Sequence, residues 1–338
     1  MSPRGARVYA ELGRAENEAG SFTGNLPLSG LSRHAFVTAR TTQTVLNNHR
    51  TLNFCQIARV VVSIVVLGAT LTTAEERAVQ LAGIDVTAWS QTIDDVHGQS
   101  VLIFSHGFHG CATQSRFLME ALAGAAYLVL APNHRDATCN GGHAHWFDQP
   151  QIGFWKPDNW NEATFEDRGE DVRHVVEAAR VDDRFRRADW SRLGLVGHSL
   201  GGYTMLALGG AWPQWKRRVG VKAVLALSSY TQPFIVHGTL EGLAVPVMFQ
   251  GGTHDFGITP AIEKAQGAYD QSPEPKYLVV IDKAGHLAWT DLGRAVFRKP
   301  IVDYSVAFLN RYVKGQPAEP LLSQPGLGIS LFRHPSMP

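Results

Sequence analysis

The decapeptide Leu193-Gly-Leu-Val-Gly-His-Ser-Leu-Gly-Gly202 constrains this chain more than any other stretch. Leu193, Leu195 and Val196 form an apolar run that reads as a short buried strand. The run breaks at Gly197-His198-Ser199-Leu200-Gly201, and an alanine- and leucine-rich helical pattern follows from Tyr203 to Ala211. Strand, G-x-S-x-G and helix in that order form a nucleophile elbow. The turn is so tight that any side chain larger than hydrogen at Gly197 or Gly201 would collide. Ser199 is left in strained geometry with its hydroxyl above the sheet edge. The N–H groups at the helix start, that of Leu200 among them, gather positive potential beside it.

The 338 residues suit one large α/β domain or two small ones. Apolar residues make up 44% and charged residues 18%, a balance that builds a core and argues against global disorder. A net charge of +1, with no run of Lys and Arg, gives nucleic acid no footing as a partner. Residues 60–71 are mostly apolar, with Arg50 and Arg59 before them and Thr72-Thr73-Ala74 after. Basic, apolar, small is a secretory signal layout over residues 50–74, and the run is short for a membrane span. A buried strand or helix is the alternative. Residues 1–49 are polar and aperiodic, and read as a disordered extension or as sequence upstream of the true start.

Downstream, residues 101–104 form an apolar run that ends in Ser105-His106-Gly107-Phe108-His109-Gly110. A helix is predicted over 113–126 and a strand over 127–132, which makes a βαβ unit and a parallel sheet. An irregular, aromatic segment covers 133–164, and helical spacing returns at 168–180. Strands are predicted at 221–227, 245–249 and 277–281, helices at 260–269 and 302–313, and an edge strand or hairpin at 84–96. The Pro-rich tail 316–338 is expected to lack fixed structure. No repeat or linker divides off a second domain.

Reactive groups in an open α/β sheet collect at the C-terminal ends of its strands. Here those ends carry His106-Gly107-Phe108, Ser199, Asp255 and His286. A serine hydroxyl needs a base to take its proton as it attacks, and His286, beside Gly285, has the right place in the order. The histidine needs a carboxylate to hold its tautomer and balance its charge. Asp255 fits that role, ahead of Asp282 and Asp148, and His254 reads as a bystander. The N–H groups of Leu200 and Phe108 are the expected oxyanion donors, each worth roughly 2.7–4 kcal/mol of barrier.

These residues support a resemblance. Ser105-His-Gly-Phe108, Ala131-Pro-Asn-His-Arg-Asp136, Gly197-His-Ser-Leu-Gly201, Asp255 and His286 resemble the α/β-hydrolase superfamily over about residues 80–313. The branch they look most like holds dienelactone-hydrolase-like and platelet-activating-factor-acetylhydrolase-like proteins, near bacterial cutinases and polyester hydrolases. The resemblance implies an α/β-hydrolase domain over 75–315, with a mostly parallel sheet, flanking helices and no cofactor. It also implies a serine carboxylic-ester hydrolase working through an acyl-enzyme. Dienelactone hydrolases carry cysteine at the elbow where this chain has Ser199. Polyester hydrolases usually carry Met where Leu200 stands and a tryptophan loop where Tyr230-Thr231 stands. An elbow aspartate would have pointed to dehalogenase or epoxide hydrolase chemistry.

Between Leu227 and Val245 there is no room for a large cap, so an open site for bulky or polymeric esters is expected. His109, His198, Trp146, Trp155 and Tyr230 are the candidate substrate contacts, with core packing as the other reading of the aromatic residues. Cys111 and Cys139 follow neighbouring strands, and in an exported, secreted or periplasmic protein they are expected to pair. The bridge would close a loop of about 28 residues and stabilise by about 3–4 kcal/mol. His143-Ala-His145 is a weak metal pattern, and no metal is expected. The expected partner is a small or polymeric ester, met by a monomer with no membrane span once the signal is removed. A peptidase, thioesterase or perhydrolase with the same triad is the alternative, as is a non-catalytic binding protein on the scaffold.

Overall fold

The computed structural model describes residues 74–139, 141–215 and 221–335. The extension 1–49 and all but the last residue of the signal-like segment 50–74 lie outside the described residues. Nine strands form one sheet, in the order β1-β2-β4-β3-β5-β6-β7-β8-β9. They are β1 (Glu75–Leu81), β2 (Ile84–Ser90), β3 (Ser100–Ser105), β4 (Tyr127–Pro132), β5 (Asp189–His198), β6 (Val221–Leu227), β7 (Val247–Gly252), β8 (Lys276–Ile281) and β9 (Ile329–Arg333). Strands β3 to β8 pair in parallel. The antiparallel pairs are β1 with β2, β2 with β4, and β8 with β9. The predicted segment 84–96 is thus the inner arm of a hairpin, and β1 is the edge.

The central strands are mostly apolar because helices cover both faces. Their side chains alternate between two cores. Val101 and Ile103 of β3 enter one, Leu102 and Phe104 the other. Leu278 and Val280 of β8 divide from Val279 and Ile281 in the same way. Helices α1 (Arg116–Gly124) and α7 (Arg298–Tyr312) close one face. Helices α2 (Glu166–Ala179) and α3 (Leu200–Leu206) close the other. The helix predicted over 260–269 is two short ones, α5 (Thr259–Glu263) and α6 (Ala268–Gln271). Between β6 and β7 stand only α4 (Gln232–His237) and one 3-10 turn, Leu240–Gly242.

The tail after residue 315 departs from expectation. Instead of lacking fixed structure, it supplies β9, registered on β8 through Val279–Phe332 and Val280–Leu331. The exposed edge of β8 would otherwise leave its N–H and C=O groups without a strand partner. Leu322 is buried on the way, the Gly326 N–H donates to the Tyr304 hydroxyl at 2.8 Å, and Phe332 packs on Tyr304. Among the described residues no helix is long and apolar enough to cross a membrane.

Candidate active site

Strand β5 ends at His198, and Ser199 turns with φ 56° and ψ −118° into α3. A Cβ on Gly197 would lie 2.3 Å from the Gly201 carbonyl oxygen, and one on Gly201 would lie 1.9 Å from that of Ser105. Glycine at both positions is therefore a steric requirement of the turn. The Ser199 N–H donates to Leu227 O at 3.0 Å, and Ser199 O accepts from the Tyr230 N–H at 3.1 Å. These bonds fix the strained residue from both sides.

His286, in the turn after β8, faces the elbow. Its Nε2 lies 3.0 Å from Ser199 Oγ. On the other edge of the ring, Nδ1 is 3.2 Å from Asp255 Oδ1 and 2.7 Å from Ser228 Oγ. The carboxylate places the ring proton on Nδ1, so Nε2 is free to accept from the Ser199 hydroxyl. Asp255 is almost wholly buried. Burial alone would raise its pKa, yet the carboxyl sits below its ordinary value because of bonds from His286, Ser228 and Thr259. Ser228 donates to Asp255 Oδ2 at 2.6 Å and Thr259 to the same oxygen at 3.0 Å. The structure thus brings Ser199, His286 and Asp255 together. The rival carboxylates lie elsewhere: Asp148 accepts from the His145 N–H, and Asp282 pairs with Thr253 and Lys283.

The loop after β3 packs against the elbow. A Cβ on Gly107 would lie 3.3 Å from Ser199 Cβ. The Gly107 N–H donates to Gln114 Oε1 at 3.0 Å and the His109 N–H to Asp136 Oδ2 at 3.3 Å. Between them, the Phe108 N–H meets no acceptor among the described residues. The Leu200 N–H is at the first position of α3, where no intrahelical acceptor exists. Both expected oxyanion donors therefore remain available.

The five candidate substrate contacts separate. His198 and Tyr230 are only 2% and 3% exposed, so they stand behind the site instead of lining it. His198 accepts from Gln114 Nε2 at 3.1 Å and donates from Nε2 to His286 O at 2.9 Å. Burial, then the nearby His286, pushes its pKa down to about 3, so it serves as a neutral strut. Tyr230 donates to Phe154 O at 2.6 Å and anchors the aromatic loop. The His109 ring stacks on Phe108 at 3.9 Å between centroids. Phe108 in turn meets Phe154 edge-on, so the loop carrying the 68%-exposed Trp155 borders the loop after β3. Trp146 is 81% exposed, and nothing among the described residues brings it to Ser199. Cys111 and Cys139 form a disulfide, with Cα atoms 5.6 Å apart. Among the described residues no cluster of His, Cys, Asp or Glu suits a metal ion, His143 and His145 included.

Sequence reasoning missed Ser228, Thr259, Gln114 and Arg168. Ser228 had a signal, since it directly follows an apolar strand on the edge where reactive groups collect. Arg168 also had one. It precedes Val172, Val175, Val176 and Ala179 at helical spacing, on the apolar face of α2.

No protein-family model matches the chain. Over 163 residues it is 29% identical to Cutinase 1 of Thermobifida cellulosilytica, covering 48% of this chain and 56% of that protein. It has the same 29% identity over 163 residues to a cutinase of Thermobifida fusca strain YX, covering 48% of each. The chain spans about half the length of the curated relatives it matches. The likeness, distant and partial, is to bacterial cutinases and so to the cutinase-like α/β-hydrolases.

Proposed function

We propose that the protein is a serine carboxylic-ester hydrolase. The observation that carries this reading is the 3.0 Å approach of His286 Nε2 to Ser199 Oγ, with Nδ1 of the same ring held against Asp255. Ser199 Oγ attacks the ester carbonyl carbon while its proton passes to His286 Nε2. The N–H groups of Phe108 and Leu200 receive the oxyanion, and Asp255 stabilises the imidazolium. The C–O bond to the alcohol breaks, and His286 returns the proton to the leaving oxygen. Water then gives its proton to His286 and attacks the acyl-enzyme, and collapse releases the acid and restores Ser199.

The short connection between β6 and β7 supports an open site for bulky esters, with Trp155 as part of its wall. The cutinase likeness supports esters over peptides or thioesters, and extends the proposal to polymeric esters. Ser105-His-Gly-Phe108 and Ala131–Asp136 support a place near the dienelactone-hydrolase-like and platelet-activating-factor-acetylhydrolase-like proteins. The Cys111–Cys139 bridge and the signal-like segment support export to an oxidising compartment.

The test is labelling with a fluorophosphonate probe, followed by a substrate panel. Wild type should be labelled and Ser199→Ala should not. p-Nitrophenyl esters of rising chain length should be cleaved faster than matched thioesters or peptides, and an aromatic polyester film tests the polymer reading. An unlabelled wild type would leave a non-catalytic binding protein as the better account.

A further inference from the structure

A buried arginine lies behind the oxyanion loop, outside the triad. Arg168, on α2, is fully buried and bonds Asp136 with two parallel contacts, Nε to Oδ1 at 2.9 Å and Nη2 to Oδ2 at 2.6 Å. Such a fork fixes the guanidinium plane. The remaining donors reach the chain that leads to the oxyanion loop. Nη1 donates to His106 O at 2.8 Å and to Ser105 Oγ at 3.3 Å, and Nη2 donates to Gly107 O at 3.3 Å.

His106 completes the clamp. Its Nε2 accepts from the His134 N–H at 3.0 Å, which puts the ring proton on Nδ1. Nδ1 then donates to Gly107 O at 2.7 Å. The ring is held neutral, chiefly by burial and then by the adjacent Arg168 charge. The Gly110 N–H adds a third donor to Gly107 O at 3.0 Å. A trans peptide holds its C=O and N–H in one plane, pointing in opposite directions. Anchoring Gly107 O toward the buried arginine therefore turns the N–H of the same peptide, that of Phe108, to the opposite side.

We propose that Arg168 and His106 are positioning residues of the oxyanion hole, which aim the Phe108 N–H by clamping the carbonyl of its own peptide. The inference rests on the serine-esterase reading. A purely structural ion pair needs only Asp136. Arg168 also engages the carbonyls of His106 and Gly107, and Asp136 holds the His109 N–H on the far side of Phe108. The pair thus brackets the one N–H that this loop contributes to the proposed chemistry.

Two variants test the assignment. Arg168→Lys keeps the charge beside Asp136 but loses the fork. His106→Asn leaves the ion pair intact and removes the ring that bonds Gly107 O. On a short p-nitrophenyl ester each should lower kcat about 10–100-fold, less than the roughly 10²–10³-fold cost of losing a whole oxyanion donor, while KM stays within about twofold. Affinity for a trifluoromethyl ketone, which forms the tetrahedral adduct, should fall in parallel with kcat. If Arg168→Lys does not fold, His106→Asn decides alone. Wild-type kcat in the folded variants, or a fall in kcat with unchanged ketone affinity, would overturn the assignment. A wild type inactive on every ester would instead strike the esterase reading itself.

Discussion

The Ser228 hydroxyl stands closer to Nδ1 of His286 than the Asp255 carboxylate does, at 2.7 Å against 3.2 Å. It also donates to Asp255 Oδ2 at 2.6 Å, so it bridges acid and base. The ring proton is shared between two acceptors, and in the proposed mechanism both would stabilise the imidazolium formed during attack. Ser228→Ala should therefore lower kcat roughly 5–30-fold, equivalent to about 1–2 kcal/mol, with KM unchanged. Asp255→Asn should cost about 10⁴-fold, because it upsets the ring tautomer. Steady-state kinetics on one ester checks both, and equal losses would refute the ordering.

The elbow makes a steric prediction. Gly201→Ala would drive a Cβ to 1.9 Å from the Ser105 carbonyl oxygen at the end of β3. Neither backbone can yield without moving the loop after β3. The variant should lose roughly 3 kcal/mol or more, or fail to fold. Gly257→Ala, whose Cβ would meet nothing within 4 Å, is the matched control. Thermal unfolding curves that coincide for the two variants would refute this packing.

Asp171 makes the stability of the protein depend on pH. Its carboxyl is pushed up to about 6, mainly by burial, with Asp136 and Glu170 adding to the rise and Arg168 and His174 opposing it. The folded chain thus holds a proton between about pH 4 and 6 that the unfolded chain has released. Stability contributed by that proton is lost as pH rises through this window, by about 2–3 kcal/mol. Asp171→Asn still accepts from His134 Nδ1, which lies 2.9 Å from the native carboxylate. The variant should match wild type in melting temperature at pH 4 and exceed it at pH 7. A constant difference across that range would contradict the assignment.

The disulfide ties the loop after β3 to the loop after β4. The same two loops are joined by Thr138 Oγ1 to His109 O at 2.6 Å and by the Ala112 N–H to Asn133 Oδ1 at 2.7 Å. Removing the bridge as Cys111→Ser/Cys139→Ser should cost about 3–4 kcal/mol and lower Tm by roughly 6–14 °C. The surviving hydrogen bonds should keep kcat within a few-fold of wild type. A melting temperature within about 2 °C of wild type would show that the bridge adds little to them.

What the sequence determined was local. The apolar run Leu193, Leu195 and Val196, the break at Gly197–Gly201 and the helix after it are encoded in adjacent residues, so the elbow is legible without a structure. The chain order of Ser199, Asp255 and His286 was legible too, because each follows an apolar strand and parallel strands deliver their ends to one edge. Tertiary structure decided what depends on distant partners. Arg168 is separated by 62 residues from the His106 carbonyl it holds, and no local pattern states that a buried charge will be paired. His198 and Tyr230 flank the elbow and the end of β6 and looked like substrate contacts, but packing turned both inward as struts. The tail carried too little apolar surface to order itself alone. It became β9 because the open edge of β8 supplied the hydrogen bonds that the tail could not make within itself.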